Sequence, residues 1–549
     1  MSDSKSGTRK EKLVDFAQTT SAHGFSNIVQ GSIIRRCIWL LAVVIMWVVM
    51  VWQAAALIQQ YLSYPSTYSI SSVSVKQVTY PALTVCNQNP IRATCAATAL
   101  QAIIPQAFEL PSHYESDYFE DGTLNAMFDY PDQLEPCVHK LITDMEVFCK
   151  YAGRPCNVSG IQRKEWYHGR YGRCATYTLD GVASLPGAGS KLTLREFAQE
   201  AEYLPHMGKV IGLQVEVHDS DEMPFPEDNG IAISVGSEAS IAVIRHEKHV
   251  LGSPYTECID PGERKDLNLY AYVNNTVSGE PKVYSQYACF RTCVQDIYVR
   301  LNGCVETNSM NRKLAISRYG PNIRNCFPEK AATSQEAVDL IGQECSNKCP
   351  EACKTVSYDY TVSTASFPGR HLCYLEMVKL LQDNRVVQKY VLANKMIRTL
   401  LHFYDKQQKT SNVSALINTI IDLTLYDEIR NKSEDMTSSN QRSAGNQLYS
   451  VPQDIMAESG NAIAMTVSIL LGFAGNQIQE FFRNNFVDIE LYVKTVSVVY
   501  LNETADMQTW DVASGIGGIF GLFVGMSMLT FLEVAFLIKD ICCVCRKEI

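Results

Sequence analysis

The chain has 549 residues, 46% of them hydrophobic and 19% charged, and carries a formal net charge of −10. That composition is globular rather than disordered. The acidic balance argues against nucleic acid as a partner, because phosphate binding draws on Lys and Arg, and it suits a cationic ligand.

In chain order, the first telling segment is Cys37–Ile58, CIWLLAVVIMWVVMVWQAAALI, which holds no charge. A membrane helix needs about 20 apolar residues. Trp39, Trp47 and Trp52 are bulky for a tight soluble core. The run begins too late and runs too long for a cleaved signal, so it reads as an anchor. Arg35 and Arg36 abut its start, and no Lys or Arg follows until Lys76. The positive-inside rule therefore places residues 1–36 in the cytoplasm. A second apolar run, 512–538, contains one charge, Glu533. Two spans return residues 539–549, with Lys539, Arg546 and Lys547, to the cytoplasm and leave 59–511 outside. Five N-x-S/T sites, Asn157, Asn274, Asn412, Asn431 and Asn502, all fall in that outer segment and are its expected glycosylation sites.

Nineteen cysteines are placed unevenly: Cys37 lies in the first span, Cys542, Cys543 and Cys545 follow the second, and the rest fall between Cys86 and Cys373. Such clustering reads as a disulfide framework in an oxidising compartment. Zinc is the rival. The spacings Cys289-x3-Cys293 and Cys345-x3-Cys349-x3-Cys353 look like a ladder, with no pair of CxxC units, so no metal site is expected. The three terminal cysteines are either palmitoylated or idle thiols.

Within the outer segment, 73–85, 212–219 and 230–247 have the Val- and Thr-rich alternation of strands. Thr193–Leu204, Tyr374–Lys406 and Ser414–Lys432 carry helical periodicity, and Ser433–Gln447 is a polar loop. HEKH at His246–His249 lacks the spacing of a zinc protease, and neither a GxSxG elbow, a phosphate loop nor a dinucleotide fingerprint is found. The chain is therefore read as a non-enzyme without a cofactor.

The last apolar run repeats glycine at Gly517, Gly521 and Gly525. Small residues at that spacing let helices pack closely in a bilayer. Packing alone leaves Glu533 unexplained, since an intramembrane carboxylate marks an ion route by default. On a continuous helix Glu533 shares a face with Met526, seven residues earlier, with the hydroxyls of Ser527 and Thr530 nearby.

Here the residues resemble a known family. GIGGIFGLFVGMSMLTFLE (515–533) resembles the second transmembrane segment of the degenerin/epithelial sodium channel superfamily. His23-Gly24 resembles its cytosolic His-Gly motif, YPALTVCNQNP (80–90) its FPAVTxCNxNP signature, and GRCATYT (172–178) its GxCYTF strand, with Ala175 where Tyr is usual. ACFRTC and CSNKCPEAC resemble its cysteine-rich thumb, and the stretch from Phe486 its last strand. The resemblance implies an α+β membrane protein. Two transmembrane helices flank a disulfide-rich extracellular domain with a β-rich palm and β-ball core and a helical finger, thumb and knuckle.

It further implies a homotrimer or heterotrimer in the plasma membrane, passing Na+ and blocked by amiloride. Gly525, Met526 and Ser527 become the selectivity filter, with Glu533 along the pore and a possible break of the span at the filter. Ser514, Gly515 and Asp511 sit at the pore mouth, and His23 and Gly24 serve gating. Tyr64 and Tyr255 fall at the wrist that couples the outer domain to the pore. The implied disulfides are Cys258–Cys353, Cys289–Cys349, Cys293–Cys345, Cys304–Cys326 and Cys86–Cys174. Departures are informative. Gly515 replaces the Asp of many acid-sensing members, and Ser66 stands where they carry a His after the first span. With CNQNPIR, these differences resemble the invertebrate FMRFamide-gated sodium channels, against acid gating or constitutive conduction as the alternatives. A cationic, aromatic neuropeptide needs carboxylates and rings. Tyr114, Glu115, Asp117, Tyr118, Phe119, Glu120 and Asp121 offer both in the expected finger. Two other classes remain: a trimeric ATP-gated channel, which would need a Lys and Arg cluster that is not found, and a non-conducting cysteine-rich receptor, which leaves Glu533 unexplained.

Overall fold

A computed structural model describes residues 9–103, 116–179, 181–204, 207, 210–260, 284–306, 312–326, 335–369 and 479–548. The helical readings at Tyr374–Lys406 and Ser414–Lys432, the polar loop after them and Cys373 lie outside the described residues.

In chain order the elements used below are α1 (Arg9–Thr19), α2 (Ile33–Leu62), β1 (Ser66–Ser74), β2 (Ala82–Asn87), α3 (Ser116–Asp129), β3 (Glu146–Tyr151), β4 (Ile161–His168), β5 (Gly172–Leu179), β6 (Leu192–Phe197), β7 (Gly212–His218), β8 (Ile231–Ser234) and β9 (Ser237–His249). They continue with α4 (Gln286–Asn302), α5 (Gln335–Lys348), β10 (Lys354–Ser366), β11 (Phe486–Ala505), α6 (Thr509–Val524) and α7 (Met528–Glu548). The chain divides into two units: one from Met1–Ile70, His249–Cys258 and Leu501–Ile549, the other from Ser71–Lys248 and Ile259–Tyr500.

The second unit is built on two sheets. One runs β10-β9-β11-β6-β3 to the short strand Arg154–Pro155, with β1 also pairing β11; the other runs β8-β7-β2-β5-β4. Leu83, Val85 and Val215 from the second sheet and Leu194, Ile241, Ile489 and Leu491 from the first are buried in one cluster. Such a sheet-on-sheet core stabilises by roughly 1.5–3 kcal/mol for each large apolar side chain removed from water.

Thr193–Leu204 corrects a helical expectation: it is β6 followed by the short turn Glu200–Glu202. Its Leu, Arg, Glu and Ala content favours helix, but β6 lies between β11 and β3 and is buried along nearly all its length. Two neighbouring ladders and burial override that weak propensity.

Cys86 and Cys174 stand opposite each other on β2 and β5 and are joined. Cys289–Cys349 and Cys293–Cys345 staple α4 to α5 at one-turn spacing, and Cys304–Cys326 closes the segment after α4. Cys258 and Cys353 are each oxidised. The spacing pattern left Cys95–Cys137 and Cys149–Cys156 unassigned; both are bonded. Cys37 and Cys542 are free and exposed.

Candidate functional site

The first unit carries the apolar helices. α2 has 30 residues, longer at both ends than the 37–58 run, and is about 45 Å long at 1.5 Å per residue. The second run is not one straight helix. α6 and α7 meet at a 69° bend, and residues 525–527 between them are neither helical nor extended. The cause is local. Gly525 adopts φ 68°, ψ 22°, the left-handed conformation that ends helices, and its N–H donates to the Gly521 carbonyl at 3.1 Å. Met526 N–H donates to Phe520 O at 3.2 Å. Thr530 Oγ1 accepts from Ser527 N–H at 3.0 Å and starts α7. The continuous-helix geometry relating Met526 to Glu533 therefore does not hold.

Glu533 is engaged by the N-terminal segment. Its Oε2 accepts from Thr20 Oγ1 at 2.8 Å and Ser21 N–H at 3.0 Å, while Ser21 Oγ lies 2.6 Å from Thr530 Oγ1. His23 N–H donates to Val524 O at 2.7 Å, at the bend itself. Gly24 has φ 85°, and a Cβ there would sit 2.7 Å from Val43 Cγ2. Glycine at 24 thus answers both a left-handed backbone and a close approach to α2.

At the start of α6, Asp511 accepts from Gln508 N–H at 2.8 Å in a capping box, and Ser514 Oγ donates to Asp511 O at 3.1 Å. Both are exposed. A Cβ on Gly515 would meet Leu57 at 2.8 Å, whereas at Gly517, Gly518 and Gly521 it would meet nothing within 4 Å. This glycine face has room for another helix.

The Tyr64 ring stands edge-on to Tyr255 at 5.4 Å. Tyr64 has φ 50°, a strained setting for a non-glycine residue that clusters at functional sites. Beside it, buried Glu503 accepts from Ser66 Oγ at 2.5 Å, Thr256 Oγ1 at 2.8 Å and Leu251 N–H at 2.7 Å. One carboxylate thereby ties β1, β11 and the turn bearing Tyr255. No motif marks Glu503; it stands at an ordinary-looking strand end. Glu503→Ala leaves three donors without this acceptor, at about 1–3 kcal/mol each. Glu503→Ala is expected to melt several degrees lower than wild type, ~2–4 °C per kcal/mol, and Glu503→Gln to lose less; thermal unfolding of the purified variants checks this.

In the second unit, Tyr114 and Glu115 lie outside the described residues, and Asp117, Tyr118 and Phe119 are on α3. Glu120 pairs with Arg170 at 3.0 Å, and the Asp121 carbonyl accepts from Asn125. Asn157 is exposed and Asn502 half-buried, while Asn274, Asn412 and Asn431 are outside the described residues. After β7, burial and then Asp219 and Asp221 push Glu222 up to about 7. Burial and then Glu227 push Glu216 to about 8. Glu227 itself is held at about 2: burial opposes ionisation, but His168, 2.8 Å away, and Arg291 outweigh it.

A disulfide-stapled two-sheet domain inserted between an apolar helix and a bent, glycine-lined one defines a membrane-channel class of subunit. The family model described as amiloride-sensitive sodium channel matches residues 16–424 and 431–537. The chain belongs to that family and is a sodium channel. It is 24% identical over 422 residues to acid-sensing ion channel 4 of Mus musculus, covering 74% of this chain and 75% of that one. Acid-sensing ion channel 2 of Rattus norvegicus is 23% identical over 531 residues, 87% of this chain and 98% of the relative. Epithelial sodium channel subunit beta of Bos taurus is 23% identical over 514 residues, 75% and 78% of the two chains.

Proposed function

We propose that three copies of this chain, alone or with related subunits, surround one Na+ pathway in the plasma membrane, with both termini cytoplasmic. The pathway narrows at Gly525-Met526-Ser527, opens when an extracellular RFamide-type neuropeptide binds, and is blocked by amiloride. The observation that carries the pore reading is the bend at Gly525. It frees three residues from helical geometry beside an exposed Ser527, where backbone and hydroxyl oxygens can replace the hydration shell of a cation. The open faces of Gly517, Gly518 and Gly521 support packing of α6 against its copies.

Peptide opening is supported by Ser66. A hydroxyl, which does not titrate near neutrality, occupies the place after α2 and donates to Glu503. Tyr118 and Phe119, near the start of α3, are the first candidates for peptide contact. A second reading, opening by acid, is favoured by Glu222: as pH falls through about 7 it takes up a proton and its repulsion with Asp219 and Asp221 is relieved.

Voltage clamp of cells expressing the chain, with separate pulses of FMRFamide and of acid, decides between them. The expected result is an inward current with peptide that vanishes when external sodium is replaced. A current evoked by acid alone overturns the peptide reading and leaves the pore assignment standing.

A further inference from the structure

Glu146 on β3 and Glu196 on β6 stand directly opposite each other in the strand register. Glu196 is fully buried, and the side chain of Glu146 is 7% exposed. The hydroxyl of Tyr177, on β5 and 1% exposed, lies between them, 2.9 Å from Glu146 Oε2 and 3.1 Å from Glu196 Oε1. A phenol has one proton, so it donates to one carboxylate only. The second short contact needs a proton on the other carboxyl.

The surroundings decide which. Arg163 Nη1 is 2.6 Å from Glu146 Oε1, so Glu146 is the ionised member. Among the described residues no cation pairs with Glu196, and its Oε2 is buried with no hydrogen-bond partner. Glu165 on β4 faces the pair as a further negative charge, its Oε1 accepting from Ile142 N–H and its Oε2 3.5 Å from Arg173. The register partners from β11 and β2 are Val487 opposite Glu196 and Leu83 opposite Tyr177, and the 141–145 turn buries Leu141 and Met145. Nothing from these last three elements supplies a counter-charge to Glu196.

We propose that the Glu146–Tyr177–Glu196 cluster is a proton-binding site: Glu196 keeps a proton at neutral pH and passes a hydrogen bond through Tyr177 to ionised Glu146. Release of that proton in alkali places two opposed carboxylates in the dry core and closes the channel. β6, which carries Glu196, pairs along β11, whose chain continues to α6. Burial first, and Glu146 next, push the Glu196 carboxyl well above its ordinary range; burial raises Glu146 as well, with Arg163 pulling it back. A folded-state value above the unfolded one gives stability that is full in acid and lost as pH rises through the folded value. This is the opposite of an acid trigger, and it stands whichever agonist opens the channel.

The test compares purified full-length wild type with Glu196→Gln, which keeps shape without a titrating proton, between about pH 6 and about pH 10. The wild-type melting temperature is expected to fall with pH relative to the variant, and wild-type current is expected to be lost reversibly in alkali while the variant's persists. Parallel melting and current curves overturn the proposal. Should Glu196→Gln not mature, Glu196→Leu replaces it. Should neither mature, the infrared spectrum of the Glu216→Gln, Glu222→Gln double variant, which removes the two other raised carboxyls on β7 and after it, decides. A protonated-carboxyl band bleached by alkali upholds the site, and its absence removes it.

Discussion

Gly525→Val is expected to abolish sodium current while leaving the protein at the cell surface. Two costs add at one residue. The left-handed backbone at φ 68° is unfavourable for any L side chain by roughly 1–2 kcal/mol. A Cβ would also lie 2.4 Å from His23 Cγ and 2.5 Å from Cδ2 and Nδ1 of the same ring. The contact reaches Cγ, so the whole imidazole must swing about its Cα–Cβ bond, or the backbone must move, to clear it. The left-handed strain is relieved by straightening the bend, which also breaks the His23 N–H bond to Val524, and the clash by that or by swinging the His23 ring away. Either change redraws the narrow region. Two-electrode recording with surface biotinylation measures both quantities. Wild-type current from Gly525→Val would remove the bend from the pathway.

Asp488→Ala is expected to prevent maturation. Asp488 on β11 and Arg195 on β6 are register partners, 5% and 6% exposed, and form a two-pronged pair at 2.7 Å on each arm. The guanidinium is also sandwiched by Phe148 and Phe367, at 4.9 and 4.4 Å from the ring centres. Removing the carboxylate strands a buried cation, a loss of about 3–5 kcal/mol. That is a large share of the 5–15 kcal/mol by which domains are stable. Surface protein is expected to drop below detection at normal growth temperature. The double variant Asp488→Leu with Arg195→Leu, which buries no charge, is expected to recover part of it. Equal surface levels of Asp488→Ala and wild type would show that the pair is dispensable.

Much of this arrangement was legible before any coordinates. The Val-rich alternation at 212–219 and 230–247 corresponds to β7, β8 and β9, and strand periodicity is a local property. The glycine spacing in 515–525 pointed to a face with room for a partner. Other features were illegible for physical reasons. β6 has a helix former's composition and owes its conformation to two neighbouring strands. By spacing alone Gly525 is one more term of a glycine series; the break there is an expectation from the family resemblance, and its left-handed angle is what the structure adds. The contacts of Thr20 and Ser21 with Glu533 join positions hundreds of residues apart, and local pattern carries no trace of them. Glu146 and Glu196 each read as ordinary surface carboxylates, and become a pair only through the register of β3 on β6.

The docking of the N-terminal segment onto Glu533 and Val524 also bears on biogenesis. Thr20, Ser21 and His23 leave the ribosome long before α6 and α7 exist. Throughout synthesis of the segment between α2 and α6, Thr20, Ser21 and His23 wait without these partners. The surroundings of the bend at Gly525 are therefore completed last, when the earliest-made and latest-made parts of the polypeptide meet.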